Sequence, residues 1–182
     1  MSKRIVSAYG AVHEMETERM NIRFATMNDL DAIAGVERQC FPPEEAATRE
    51  DFEKRLAVFP EHFWLLEEEG RIVSMINGMV TDIPILRDEM FADAGMHQEQ
   101  GAWQMIFGVE TLPEYQGRGC ATALLRRVVS DVQEQERKGI VLTCKEQLIP
   151  FYRKFGFINE GKSMSKHGGA TWYDMRLTYG EL

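Results

Sequence analysis

The most chemically suggestive stretch of this chain is Val109-Glu110-Thr111-Leu112-Pro113-Glu114-Tyr115-Gln116-Gly117-Arg118-Gly119-Cys120-Ala121. An apolar strand pattern ends there and a long amphipathic helix pattern begins. Glycines at such a junction let the backbone approach a ligand closely. The first turn of the helix adds N–H groups without intrahelical partners, near the positive end of the helix dipole. Gln116 to Ala121 therefore reads as a cradle for an anion such as a pyrophosphate, with Arg118 placed to add a charge-assisted contact. A glycine pair at a strand–helix turn also serves plain turn geometry, so context must decide. No Gly-Lys-Ser/Thr follows the glycines of this loop, so the loop is not a P-loop, and the third glycine of a dinucleotide fingerprint is missing.

Other residues could do chemistry. Tyr152 lies in an aromatic run with Phe151 and Phe155; a phenol stays protonated at neutral pH and can donate, although aromatic residues on a short helix equally suit a core. Glu44, Glu45, His97, Glu110 and His167 are candidate proton acceptors or ammonium ligands, each with a plain surface role as its alternative. Trp64, Trp103, Trp172, Met75, Met79 and Met105 fit either an apolar pocket or core packing. Cys120 has no histidine placed by sequence to activate it as a nucleophile.

Regular elements must hold these groups. Ile22 and Phe24 share one strand face, and Thr26-Met27-Asn28-Asp29 resembles a capping box opening a helix with Leu30, Ile33, Ala34 and Cys40 on one face. Phe41-Pro42-Pro43 ends it. Thr48-Arg49-Glu50-Asp51 opens a second helix that runs to about Val58. Strands follow at 63–66 and 71–80, turning at Glu69-Gly70. Residues 83–101 form an acidic excursion with one helical turn near 88–91, before an apolar strand at 102–109. Ala121, Leu124, Leu125, Val128, Val129 and Val132 mark a helix facing the core. A buried strand at 140–143 completes a βαβ unit, followed by a short helix at 147–154 and two strands, 157–164 and 171–178, turning at Gly168-Gly169.

The 182-residue length suits one domain at residues 20–182, preceded by an extension at 1–19. The net charge of −8 argues against nucleic acid as a partner. Acidic side chains concentrate between residues 41 and 110, and basic ones predominate from 111 onward. That distribution suits a cation in the middle of the chain and a polyanion toward its C-terminal part, or an unevenly charged surface. No apolar run is long enough to span a bilayer, and Lys3-Arg4 before Ile5 to Val12 makes a poor secretory signal. Three cysteines without metal spacing fit a reducing, cytoplasmic setting with no bound metal.

Gln116-Gly117-Arg118-Gly119-Cys120-Ala121 matches at each specified position the motif of the GNAT superfamily of N-acetyltransferases: glutamine or arginine, two residues, glycine, one residue, glycine or alanine. Cys144 to Phe157 resembles the second half of the cofactor site in the arylalkylamine (serotonin-type) branch, and Val36 to Phe41 resembles that branch's first helix and its exit. Phe41-Pro42-Pro43-Glu44-Glu45 and His167-Gly168-Gly169-Ala170 are similar to patterns in uncharacterised bacterial relatives. The resemblance runs from about Met20 to Tyr179. It implies an α/β (α+β) fold with a mixed, mostly antiparallel sheet of about seven strands, helices on both faces, and a splayed parallel pair where 102–110 meets 140–144. It implies transfer of acetyl from acetyl-CoA to a primary amine, a small molecule first, in a ternary complex. A peptide amine or a non-catalytic CoA-binding module are the alternatives, and a homodimer is plausible.

By the same resemblance, the backbone of Phe107, Gly108 and Val109 pairs with pantetheine and stabilises the thioester oxygen. The amides of Tyr115, Gln116, Gly117, Arg118, Gly119 and Cys120, leading into Ala121, hold the pyrophosphate, and Tyr152 protonates the departing thiolate. The branch's two histidines on the central strand are replaced by Trp103 and Met105. The proton acceptor is therefore open among Glu44, Glu45, His97, Glu110 and His167.

Overall fold

The computed structural model describes residues 20–180, so the extension expected at 1–19 lies outside the described residues. Nine strands run as β1 (Met20–Phe24), β2 (Phe63–Glu68), β3 (Arg71–Asn77), β4 (Val80–Thr81), β5 (Trp103–Ile106), β6 (Gly108–Thr111), β7 (Gly139–Cys144), β8 (Ile158–Lys162) and β9 (Tyr173–Thr178). Five α-helices intervene: α1 (Leu30–Cys40), α2 (Arg49–Val58), α3 (Glu89–Ala92), α4 (Cys120–Glu134) and α5 (Ile149–Arg153). The strand total exceeds seven because two long apolar runs divide. The run at 71–80 breaks around Gly78, and the run at 102–109 breaks at Phe107.

Those breaks separate two sheets, ordered β1-β2-β3-β6 and β4-β5-β7-β9-β8. The one parallel pairing among the described strands joins β5 to β7, from Trp103 opposite Gly139 to Ile106 opposite Leu142. Beyond that register the strands part. Gly108 to Thr111 pairs with β3, while Thr143 and Cys144 pair with β9. The expected splay thus opens at the point where the apolar run divides.

Alternation along the strands builds two cores. Phe63 and Leu65 of β2 face one way, with Ile33 of α1, Phe52 and Leu56 of α2, Met75 and Met105. Trp64 and Leu66 face the other way, against Leu124, Leu125, Val128 and Val132 of α4. All four of these α4 side chains are fully buried, each contributing about 1.5–3 kcal/mol of transfer free energy, so packing rather than intrinsic propensity fixes the helix. Trp64 Nε1 donates to Asp131 Oδ2 at 2.8 Å, which ties the polar edge of a buried ring to the same helix.

The caps fall where the sequence places them. Thr48 Oγ1 accepts from Asp51 N–H, and Thr48 N–H donates to the Asp51 carboxylate, at 3.1 and 2.8 Å. Thr26 N–H donates to Asp29 Oδ2, and Arg23 also binds Asp29, so the turn before α1 is locked to β1. One connection differs from expectation. β8 and β9 are not joined by a two-residue Gly168-Gly169 turn; residues 163–172 form a longer loop with a single helical turn at His167–Gly169. Ser165 Oγ and Lys166 N–H both donate to Asp88, and this anchoring draws the loop away from a tight hairpin.

Candidate active site

The splay between β6 and β7 opens into a cavity of about 330 Å³. One wall is Phe107, Gly108, Val109 and Glu110; the opposite wall is Thr143, Cys144 and Tyr152. The backbone of the first wall is irregular in a useful way. Gly108 lies opposite Asn77, yet Phe107 N–H also donates to Asn77 O at 2.7 Å, so two residues face one in a β-bulge. Leu112 N–H returns to Val73 O at 2.9 Å. By strand alternation the Val109 N–H then points away from β3, toward the opening. A Cβ at Gly108 would lie 2.1 Å from Glu110 Oε1, so a side chain there would displace the Glu110 carboxyl.

Behind this wall lies the glycine loop that leads into α4. Gly117 and Gly119 hold φ of 76° and 79°, which L side chains rarely adopt, although space around both is open. Gly119 caps α4, whose first helical bond runs from Ala123 N–H to Gly119 O. The amides of Cys120, Ala121 and Thr122 precede that ladder and form its unpaired N-terminal turn. Gln116 and Arg118 are exposed on the loop. Tyr115 is fixed beneath it by a 2.6 Å bond from its hydroxyl to Glu68, with the Arg118 guanidinium 4.9 Å from its ring centroid. Exposed glycines, a free helix N-terminus and an adjacent arginine fit a diphosphate, and the split strands leave a slot for an extended arm.

Tyr152 is buried on α5 against Phe151 and Phe157. Burial first, then the nearby Cys144 and Glu110, pushes its phenol above the usual tyrosine range, so the ring stays protonated and able to donate. Burial likewise raises the Cys120 thiol and pushes Cys144 up to about 11, which disfavours either as a thiolate.

Three loops roof the other end. His167 lines the cavity, its Nε2 lies 2.8 Å from Glu45 O, and its ring stacks on Phe91 at 5.0 Å. Glu45 lines it too, paired with Lys145 Nζ at 2.7 Å. The anchoring of 163–172 to Asp88 closes the third side. Glu110 is 2% exposed and lines the cavity together with Glu37 of α1, whose charge acts on it. Burial, then the charge of Glu37, holds the Glu110 carboxyl well above the usual carboxylate range, with Arg55 opposing. Burial also raises Glu37, against the Ala47 N–H that donates to its Oε1.

Of the five proton-acceptor candidates, the structure brings Glu45, Glu110 and His167 into the cavity and leaves two outside. Glu44 is exposed on the loop after Pro43 and does not line it. His97 packs on Phe59 and is held between Val80 N–H and Glu99, away from the cavity. Trp103 packs beneath Arg176 and Met105 is core, so neither does chemistry in the positions of the missing histidines. Glu37 and Arg55 line the cavity but carry no sequence motif. Their signal is positional: each is a charged residue on the apolar face of its helix, Glu37 four after Ile33 and Arg55 three after Phe52.

His62, His97 and Glu99 form a second cluster, with ligand-type atoms within 4.8 Å of one another. His97 Nδ1 accepts the Val80 N–H at 3.1 Å, which leaves its proton on Nε2, facing Glu99 at 3.0 Å. That proton occupies the lone pair a metal would need.

The matched family model is the acetyltransferase (GNAT) domain, aligned over residues 21–158. The serotonin N-acetyltransferase of Mesocricetus auratus is 25% identical over 160 residues, covering 86% of this chain and 76% of that protein. Among solved structures, the loading GNATL domain of CurA from Lyngbya majuscula superposes with a TM-score of 0.75 at 18% identity, covering 87% of this chain and 97% of that one. A GNAT family acetyltransferase from Brucella melitensis in complex with acetyl-CoA superposes with a TM-score of 0.58 at 20% identity, covering 89% of each. With the motif, the splayed strands and the family model in agreement, this chain belongs to the GNAT acetyltransferase family, enzymes that transfer an acyl group from an acyl-CoA to an amine.

Proposed function

We propose that the chain transfers the acetyl group of acetyl-CoA to a small primary amine by direct attack in a ternary complex. The diphosphate would sit on the amides between Tyr115 and Cys120, and the pantetheine arm along Phe107 to Val109. The Val109 N–H would stabilise the thioester oxygen as it gains charge. The amine nitrogen bonds to the acetyl carbon, the carbon–sulfur bond breaks, and Tyr152 gives its proton to the departing thiolate.

The observation that carries this reading is the single cavity shared by Tyr152, the bulged Gly108–Val109 backbone and the carboxylates of Glu37, Glu45 and Glu110. Five acidic side chains line the cavity, Glu37, Glu45, Asp51, Asp88 and Glu110, against one arginine, and that excess favours a cationic acceptor. The roof argues for a small one, because the 163–172 loop is held to Asp88 and to Glu45, across the path an extended peptide would need.

The test is thiol release from acetyl-CoA against a panel of primary amines and short peptides, with coenzyme binding followed by calorimetry. Tyr152→Phe should lower kcat by about 10²-fold or more while the binding heat persists. Turnover of peptides but not of small amines would favour the peptide acceptor. Coenzyme binding with no turnover of either would favour a binding module.

A further inference from the structure

We infer that Glu37 and Glu110 act as one carboxyl pair that takes the proton from the acceptor's ammonium group, with Arg55 as the buried cation that keeps the pair singly charged. This rests on the transferase reading above and names the proton acceptor which that reading lacks.

The first argument is satisfaction of polar atoms. Both oxygens of Glu110 and Oε2 of Glu37 are buried without a partner among the described residues, whereas Glu37 Oε1 accepts from Ala47 N–H at 2.8 Å. Two ionised carboxylates facing each other in that setting repel; one proton between them satisfies both. The second argument is charge. Arg55 is 4% exposed, donates to Asn77 Oδ1 at 3.2 Å and Phe91 O at 2.8 Å, and lies over the rings of Phe52 and Phe107. Its one charge balances one negative charge on the pair. The pair therefore holds one proton and has room for a second.

The third argument is position. Glu110 is on the wall opposite Tyr152, close enough for its charge to act on the phenol, and the absent side chain of Gly108 makes room for its carboxyl. Glu45 is already engaged, its Oε1 accepting from Lys145 Nζ at 2.7 Å. The charged and titratable groups facing the pair are Arg55 from α2, Cys40 from the end of α1, Tyr152 from α5 and His167 from the roof. Arg55 and His167, with the Ala47 N–H on Glu37, favour charge on the pair, and burial outweighs them, so a proton is retained where an exposed carboxylate would release it.

The step balances as follows. The ammonium gives one proton to the pair, which becomes neutral, and the free amine attacks the thioester carbon. The nitrogen's second proton leaves as the C–N bond is completed and restores the one Tyr152 gives to sulfur. The pair's extra proton goes to water, so one proton is released per acetyl transferred.

The test uses the full chain with phenethylamine and putrescine as probe amines. Glu110→Gln and Glu37→Gln should each lower kcat by about 10²-fold or more, with the double variant no worse than either by more than about twofold. The residual rate should climb about tenfold per pH unit below the amine's pKa, because the variants depend on amine already deprotonated in solution. Carboxyl carbon NMR of labelled wild type should show one shared proton near neutral pH, and the signature should vanish in Glu37→Gln. Wild-type kcat and pH profile in both variants would overturn the pair while leaving the transferase reading intact, as would a raised amine KM at unchanged kcat. Two ionised carboxylates at neutral pH would also overturn it, whether or not any amine is acetylated. Failure of the wild type to turn over any amine would instead strike the transferase reading itself.

Discussion

Glu37, Glu110 and Arg55 on one side, and His62, His97, Glu99 and Arg137 on the other, are two clusters of buried or partly buried charge finished in opposite ways. In the histidine cluster each polar atom has a partner. His62 reaches Gln104 and Glu99, His97 takes Val80 N–H and reaches Glu99, and Arg137 binds Glu99 Oε1 together with the carbonyls of Glu99 and Gly101. Gln104 in turn gives both amide hydrogens to Met79 O and Met105 O. This network fastens the end of the acidic excursion to β4 and β5, and burial lowers the His97 pKa, in keeping with a ring that accepts at Nδ1. The glutamate cluster instead leaves four side-chain atoms without partners among the described residues, Arg55 Nε, Glu37 Oε2 and the two Glu110 oxygens, all in residues lining the cavity. Unsatisfied buried groups are costly, and a fold retains them where a ligand completes them. Both clusters have the residue types of a reactive site, but the incomplete one lines the cavity at the splay and the histidine cluster does not.

That contrast can be broken most forcefully at Arg55. Arg55→Leu removes the cation beside a buried carboxyl pair and should cost about 3–5 kcal/mol in urea unfolding at neutral pH. The loss should shrink toward pH 5, where the pair can take a second proton. Glu99→Ala leaves His62, His97 and Arg137 without their common acceptor and should cost about 2 kcal/mol by the same measurement, with thiol release retained. Glu110→Gln works in the opposite direction. The Glu110 pKa is raised in the folded chain, so the stability contributed by its neutral form is complete below the unfolded value and is lost as pH rises through the folded one. The amide escapes that loss, and its thermal midpoint should gain on wild type as pH rises above the ordinary glutamate range. Thr48→Ala is the smallest change: it removes the cap of the helix carrying Arg55, touches neither cluster, and should cost roughly 0.5–1 kcal/mol with the kcat pH profile unmoved.

Much of the scaffold was legible because it depends on local rules. The α4 stripe, the Thr26 and Thr48 caps, the stop at Pro42-Pro43 and the glycine pair before α4 each depend on neighbours within a few residues. The strand breaks at Gly78 and Phe107 were not legible, since both runs are largely apolar and the breaks come from how the two sheets part. The 163–172 loop was misread for a similar reason. Gly168-Gly169 suits a tight turn, but Asp88, far away in sequence, holds the loop open.

The candidate site divides along the same line. By itself the amino-acid order determined the family motif at Gln116 to Ala121 and the place of Tyr152, because a cradle of backbone amides and a helix N-terminus are built from contiguous residues. Only the tertiary structure decided which acids reach the cavity. It sent His97 into a satisfied network, left Glu44 in solvent, and brought Glu37 of α1, Arg55 of α2 and Glu110 of β6 together across three elements. Proton affinity depends on burial and on neighbouring charge, and both are set by segments distant in the chain.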